Sequence, residues 1–231
     1  MKTNIRKIKT SILEKRKNLN LPIYSTFEEI LSAIFHGIGA ILSIAAIVLL
    51  ILSSSFKAKT IVCVSIYSAT LFLLYIFSTM YHALGVNKAK KVFRILDHCS
   101  IFILISGTYT PICLLMLEGP VGWILFSIVW ICAIVGIVFN AIDIKKFSKL
   151  SMICYVAMGW AIIFAIKPLL NVVNQRQLLF LFLGGIFYTV GAAIYAAGKK
   201  VKYMHAVWHI FVLCGSICHF FMIFDFIRLA V

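Results

Sequence analysis

Long apolar stretches alternate along the chain with short polar, basic connections. Seven of the stretches reach the length that a helix needs to cross the hydrocarbon core of a bilayer, about 20 residues. They run over residues 30–52, 61–83, 96–116, 121–142, 150–169, 177–197 and 204–227. Inside lipid an open strand leaves its backbone groups unpaired, so these stretches predict helices. Because the connections are short, neighbours in sequence should be neighbours in space. The expected fold is an all-α membrane protein, a seven-transmembrane-helix bundle over residues 28–231, preceded by a basic tail over 1–27.

Composition agrees. Of 231 residues, 63% are hydrophobic and 13% charged, and the mean hydropathy is +1.06. A soluble domain does not need that apolar content. The first 20 residues carry no small-residue cleavage site, so the first apolar stretch is expected to stay as a span. A formal charge of +15 raises the question of nucleic acid. The placement of the charges answers it, because Lys and Arg crowd the tail and alternate loops, which is how topology is signalled. They are Lys2, Arg6, Lys7, Lys9, Lys15, Arg16 and Lys17, then Lys88, Lys90, Lys91 and Arg94, then Lys145, Lys146 and Lys149, then Lys199, Lys200 and Lys202. The opposite side keeps Lys57, Lys59, Lys167, Arg176 and Arg228. The expectation is therefore a cytoplasmic amino terminus, an outside carboxyl terminus, residence in the cell membrane and no nucleic-acid partner. The tail can also touch anionic lipid headgroups.

Seven cysteines are scattered through the apolar stretches without the paired spacing of a zinc ribbon or redox motif, and they read as small buried hydrophobes. Gly184, Gly191 and Gly198 recur every seven residues and predict a close helix contact. Pro111 should kink the outer part of the third span.

Topology gathers the polar residues that are costly in lipid. His82 ends the second span, Asp97 and His98 begin the third, and His205 and His209 begin the seventh, all on the side of the tail. Ionisable groups at such depth point to function. His205 and His209 stand four residues apart on one helix face and can share an ion, with His82 as a third nitrogen. Three protein ligands with an open position form the pattern of a catalytic zinc, although imidazole also suits iron, copper and nickel. Asp97 is a candidate ligand, a hydrogen-bond acceptor behind one, or the base that takes a proton from activated water. Ser78 lies one turn before His82 and could assist. In the first span, Glu29, Ser32 and His36 fall at i, i+3 and i+7 and form a polar stripe, either supporting the site or binding the span to its neighbours. His98 points roughly 100° away from Asp97, and His219 lies about 15 Å along the helix from His209. Neither is expected among the ligands, and His219 reads as a buried, hydrogen-bonded histidine.

Taken in order, these residues resemble the hemolysin III branch of the progestin and adiponectin receptor (PAQR) superfamily. The resemblance rests on Glu29-x-x-Ser32-x-x-x-His36-Gly37, Ser78-x-x-Tyr81-His82, Leu96-Asp97-His98, Gly107-Thr108-Tyr109-Thr110-Pro111, His205-x-x-Trp208-His209 and His219-Phe220. It covers the chain from about Glu28 to Phe221 and implies seven helices, zinc held by His82, His205 and His209, and Asp97 and Ser78 beside the metal's water. The superfamily also contains alkaline ceramidases, which implies hydrolysis of a lipid amide or ester. Membrane lipids are then the expected partners, with a small lipid as substrate or ligand. The rivals are a non-enzymatic membrane sensor with structural zinc and a cytolysin.

Overall fold

The computed structural model describes the backbone of residues 2–198 and 201–229, and side chains from residue 10 onward within those ranges. The side chains of Lys2, Arg6, Lys7 and Lys9, and the whole of Lys199 and Lys200, which figure in the expected topology signal, lie outside the described residues. A helix α1 (Lys2–Asn18) leads into the first span, α2 (Thr26–Leu52). The second span is α3 (Ala58–Ala83), and the third is α4 (Lys88–Pro111) with a π-helical turn over Ile112–Met116. The fourth is α5 (Pro120–Asp143). The fifth is built from α6 (Ser148–Gly159), a 3-10 segment (Ala161–Ala165) and α7 (Ile166–Leu170). The last two are α8 (Gln175–Ala197) and α9 (Met204–Leu229). Among the described residues, seven helices are long and apolar enough to cross a membrane and none is a strand. The seven-span, all-α expectation holds.

The boundaries follow from capping. Ser25 Oγ accepts from the Glu28 amide at 3.2 Å, Asn87 Oδ1 from the Lys90 amide at 2.9 Å, and Asn174 and Gln177 cap each other reciprocally. Each satisfies a donor that the first helical turn leaves open. The largest departure from expectation is the third span, which begins at Lys88 rather than 96. Its first turns hold four basic residues, read from the sequence as loop. The helix forms because Lys90 is not solvated there: it is 1% exposed and its charge is neutralised inside the bundle. The tail likewise contains a helix, α1, where no element was expected.

Span three is the centre of the bundle. Of its most apolar stretch 72% is buried, against 17–44% in the other six spans. It packs between α3 and α5, α3 packs on α2, and α2 packs on α9, which pairs with α8. This order brings the start of α9 beside the start of α2 and the end of α3. Past Pro111, which has no N–H to give, the chain widens into the π turn, where the Leu117 amide reaches Ile112 O at 3.0 Å. The break in span five is closed by one phenol: Tyr109 donates to Gly159 O at 3.0 Å and accepts from the Ile162 amide at 2.8 Å. A freed backbone group inside a membrane requires such a partner.

Lipid-facing surface is apolar, as along α5, where Ile124, Ile128, Ile131 and Val138 are exposed. The cysteines divide. Cys63, Cys99 and Cys113 are buried as expected, but Cys132 is exposed, and Cys154, Cys214 and Cys218 are intermediate. A thiol is apolar enough to face lipid, so burial in protein was not required. The glycine row on α8 does mark a close contact. A methyl group at Gly184 would collide with the His219 ring, and one at Gly191 would stand 3.1 Å from Phe211 Cβ.

Replacing Gly184 with Leu is expected to destabilise the bundle by ~1–3 kcal/mol through overpacking, seen as a lower thermal midpoint in detergent. Gly85→Ala, where no atom lies within 4 Å of the added carbon, is the control. An unchanged midpoint for the Leu variant would contradict the contact.

Candidate metal centre

The end of the bundle that carries α1, here the basic end, also collects the candidate chemistry. The turn spacing of α9 stacks His205 and His209, and the last turn of α3 brings His82 against them. All three are buried, at 3%, 0% and 3% exposure respectively for His205, His209 and His82. Their Nε2 atoms form a near-equilateral triangle. His205 and His82 are 3.3 Å apart, His209 and His82 3.2 Å, and His209 and His205 3.2 Å.

What turns these nitrogens inward is a separate partner on each Nδ1. His82 Nδ1–H donates to Glu29 Oε2 at 2.8 Å. His209 Nδ1 meets His36 Nε2 at 2.8 Å, and His205 Nδ1 meets the Tyr24 hydroxyl at 3.4 Å. With its proton on Nδ1, each ring presents a lone pair at Nε2. Three converging lone pairs repel one another unless a cation lies between them. The spacing suits one: three nitrogens about 2.0 Å from an ion in tetrahedral arrangement stand about 3.3 Å apart. The group can therefore hold a metal ion.

Glu29 is itself held. Its Oε2 accepts from Lys90 Nζ at 3.1 Å and its Oε1 from Arg16 Nη2 at 3.0 Å. Lys90 gives its other protons to the carbonyls of Tyr81, at 2.7 Å, and Leu84, at 3.1 Å, so a fully buried ammonium is fully bonded. Two cations and an imidazole N–H thus keep the Glu29 carboxylate charged where burial alone would favour its neutral form. Lys90, Arg16 and Tyr24 were not singled out from the sequence. Their partners belong to elements distant along the chain, and no spacing links them to Glu29 or His205. Burial pushes the Tyr24 phenol well above its ordinary range, so the hydroxyl keeps its proton.

The remaining candidates lie around the triad. Asp97 is 2% exposed and Ser78 and Ser32 are 0% exposed. Asp97 Oδ2, Ser78 Oγ, Ser32 Oγ and His36 Nδ1 all lack a hydrogen-bond partner. Buried polar atoms are rarely left so, and four on the helix faces around one triad fit a place built for an ion and water. His98 is committed elsewhere: its Nδ1–H donates to Arg94 O at 3.0 Å, with Asp97 further off at 3.6 Å, and its Nε2 faces the Tyr195 hydroxyl at 3.4 Å. His219 donates to Leu181 O at 3.2 Å, away from the triad. The Glu29–Ser32–His36 stripe does two things at once. Glu29 and His36 support the ligand rings, and Glu29 also ties α2 to α3, α4 and α1.

Asp97 and His36 form one end of a cavity of about 130 Å³. Its walls include Leu74, Ile101, Ile105 and Val212, and it runs to Thr108, Trp160 and His219. A buried water takes roughly 10–15 Å³ of such space, so the cavity is far larger than a water site and mostly apolar.

Fold and site together define a multi-pass membrane protein with a buried three-histidine group able to hold a metal. The sequence model of a family described as "Haemolysin-III related" matches residues 24–220, and the chain belongs to that family. It is 46% identical to Hemolysin-3 of Bacillus cereus over 202 residues, covering 87% of this chain and 92% of that one. It is 43% identical to the Hemolysin-3 homolog of Bacillus subtilis (strain 168) over 203 residues, covering 87% and 95%. A more distant relative is the human Monocyte to macrophage differentiation factor, 23% identical over 167 residues, covering 70% and 69%, which fits the wider superfamily that the motifs resemble. In bacteria the membrane of such a protein is the cell membrane.

Replacing Glu29 with Gln should leave Lys90 and Arg16 without their counter-charge. The expected cost is ~3–5 kcal/mol of stability, together with ~10–100-fold weaker binding of a divalent metal. Thermal unfolding and metal titration of the purified variant check both. Wild-type stability would contradict the assigned role of the carboxylate.

Proposed function

We propose that the chain is a zinc-dependent membrane hydrolase acting on a lipid amide or ester, with the basic end facing the cytoplasm. The observation that carries this reading is the adjacency of three features: inward-facing imidazole nitrogens, an unpartnered Asp97 carboxylate oxygen, and an apolar cavity that begins at Asp97. His82, His205 and His209 would hold the ion. Zinc so held would supply a Lewis acid toward a carbonyl oxygen and acidify water at neutral pH. Asp97 would accept the proton at Oδ2, being a carboxylate with an open lone pair, and would later return it to the leaving amine or alcohol. The Ser78 hydroxyl would orient the water or the carbonyl. The cavity would take the acyl chain and keep bulk water from it. Charge placement supports a cytoplasmic basic end, since Lys145, Lys146, Lys149 and Lys202 lie there with α1.

A second reading has an observation of its own. The Glu29–Lys90–Arg16 junction braces the triad as a structural site would be braced, which favours a sensor or regulator of the membrane that uses zinc only to hold its helices. The relatives' names also raise a cytolysin. Seven apolar spans weigh against a protein that must cross water to reach a target cell, and purified protein at modest concentration is expected to leave erythrocytes intact. Lysis that osmotic protectants block would contradict this.

Purified wild-type protein and Asp97→Ala, incubated with total membrane lipid extract, separate enzyme from sensor by mass spectrometry of the products. The expected outcome is a released fatty acid with wild type and a rate lower by ~10²–10⁴-fold with the variant, at equal zinc content. Absence of any product from zinc-loaded wild type would favour the sensor.

A further inference from the structure

Residues 19–25, between α1 and α2, cross the basic end of the bundle beside the triad. Tyr24 lays its ring on His205, with centroids 4.3 Å apart and planes 15° from parallel, and the ring lies 6.1 Å from His82. Its hydroxyl reaches His205 Nδ1 at 3.4 Å. Leu21 is 6% exposed, so the segment is seated and not loose, yet Ile23 beside it is 72% exposed. Two guanidinium groups tie it down. Arg94 Nη1 donates to Asn20 O at 2.7 Å, and Arg16 donates through Nη1 to Pro22 O. The same Arg16 holds Glu29, the partner of His82. The segment is thus linked to the ligand shell at two points, Tyr24 on His205 and Arg16 through Glu29 on His82.

An ion has few ways in. Approach through the lipid-facing sides would strip a divalent cation of its water in hydrocarbon, at a cost that rules the route out. The cavity on the far side of Asp97 is apolar over most of its length. The water-facing approach is at the basic end, where the strap lies. A short segment held by a few polar contacts opens far more readily than a packed span.

We infer that residues 19–25 form a strap whose Tyr24 closes the metal centre from the aqueous side, so that opening the strap sets the rate at which the metal enters and leaves. This rests on the reading of the three histidines as a metal site. Tyr24 is a positioning residue as well: its hydroxyl fixes the His205 ring, and its own ring covers that imidazole. Displacing the strap, for example by a partner that draws α1 away, would expose the metal without unfolding any span.

The test follows zinc transfer from the full-length, zinc-loaded protein in detergent to an excess of a chromogenic chelator, with zinc content and thermal midpoint measured beforehand. Tyr24→Ala is expected to release zinc about tenfold faster or more, the range typical for loss of a partner behind a metal-bound imidazole. Tyr24→Phe, which keeps the cover and loses the hydroxyl, should fall between Tyr24→Ala and wild type. Arg94→Gln frees Asn20 without touching an imidazole and should accelerate release about threefold, as the loss of one charge-assisted hydrogen bond implies. It decides the matter if Tyr24→Ala does not fold. Zinc-loaded wild type with both variants within about twofold of its release rate would overturn the strap and leave the metal site standing. Wild type that takes up no zinc would overturn both.

Discussion

A carboxylate placed among three donors inside a bilayer organises the basic end of this protein. Glu29 meets His82, Lys90 and Arg16 within 2.8–3.1 Å, and these residues stand on α3, α4 and α1, while Glu29 itself is on α2. No water is at hand to substitute for any of them, so each contact must be made by protein. The junction fixes the register of four helices against one another. It also sets the tautomer of His82, and with it the direction of the Nε2 lone pair. The same contacts that hold the fold therefore prepare the metal centre, and a change at Glu29 cannot affect one without the other.

The opposite wall of the site is built on a different rule. Asp97, Ser78 and Ser32 are buried and lack the partners that Glu29 has in full. Fully bonded groups sit behind the histidines and unbonded ones in front. That asymmetry is what a site for a charged guest and its water requires, and it separates bracing residues from residues free to act. The apolar cavity beyond Asp97 extends this front side into the bundle, past the broken span five that Tyr109 holds together.

Much of this was legible in the sequence. Span number and type followed from apolar length, and six of the seven spans begin within a few residues of where hydropathy placed them. The third did not, because hydropathy treats Lys90 as a solvated charge, whereas its carboxylate and two carbonyls lie on other helices. His82, His205 and His209 were readable because topology and helical spacing are local properties. His36 and Glu29 were readable as a stripe, but not as the two groups behind His209 and His82, since that depends on how α2 meets α3 and α9. Tyr24 was not readable at all. A lone tyrosine in a polar tail has no periodicity to betray it, and its contact with His205 spans 181 positions of chain.

The central claim is that three imidazoles hold a metal through Nε2. The most direct measurement is X-ray absorption at the zinc edge on wild-type protein purified without chelator. Nitrogen scatterers at about 2.0–2.1 Å with the multiple-scattering signature of three imidazoles are the predicted result. Sulfur scatterers at about 2.3 Å, or folded protein holding no metal after zinc is supplied, would contradict the account.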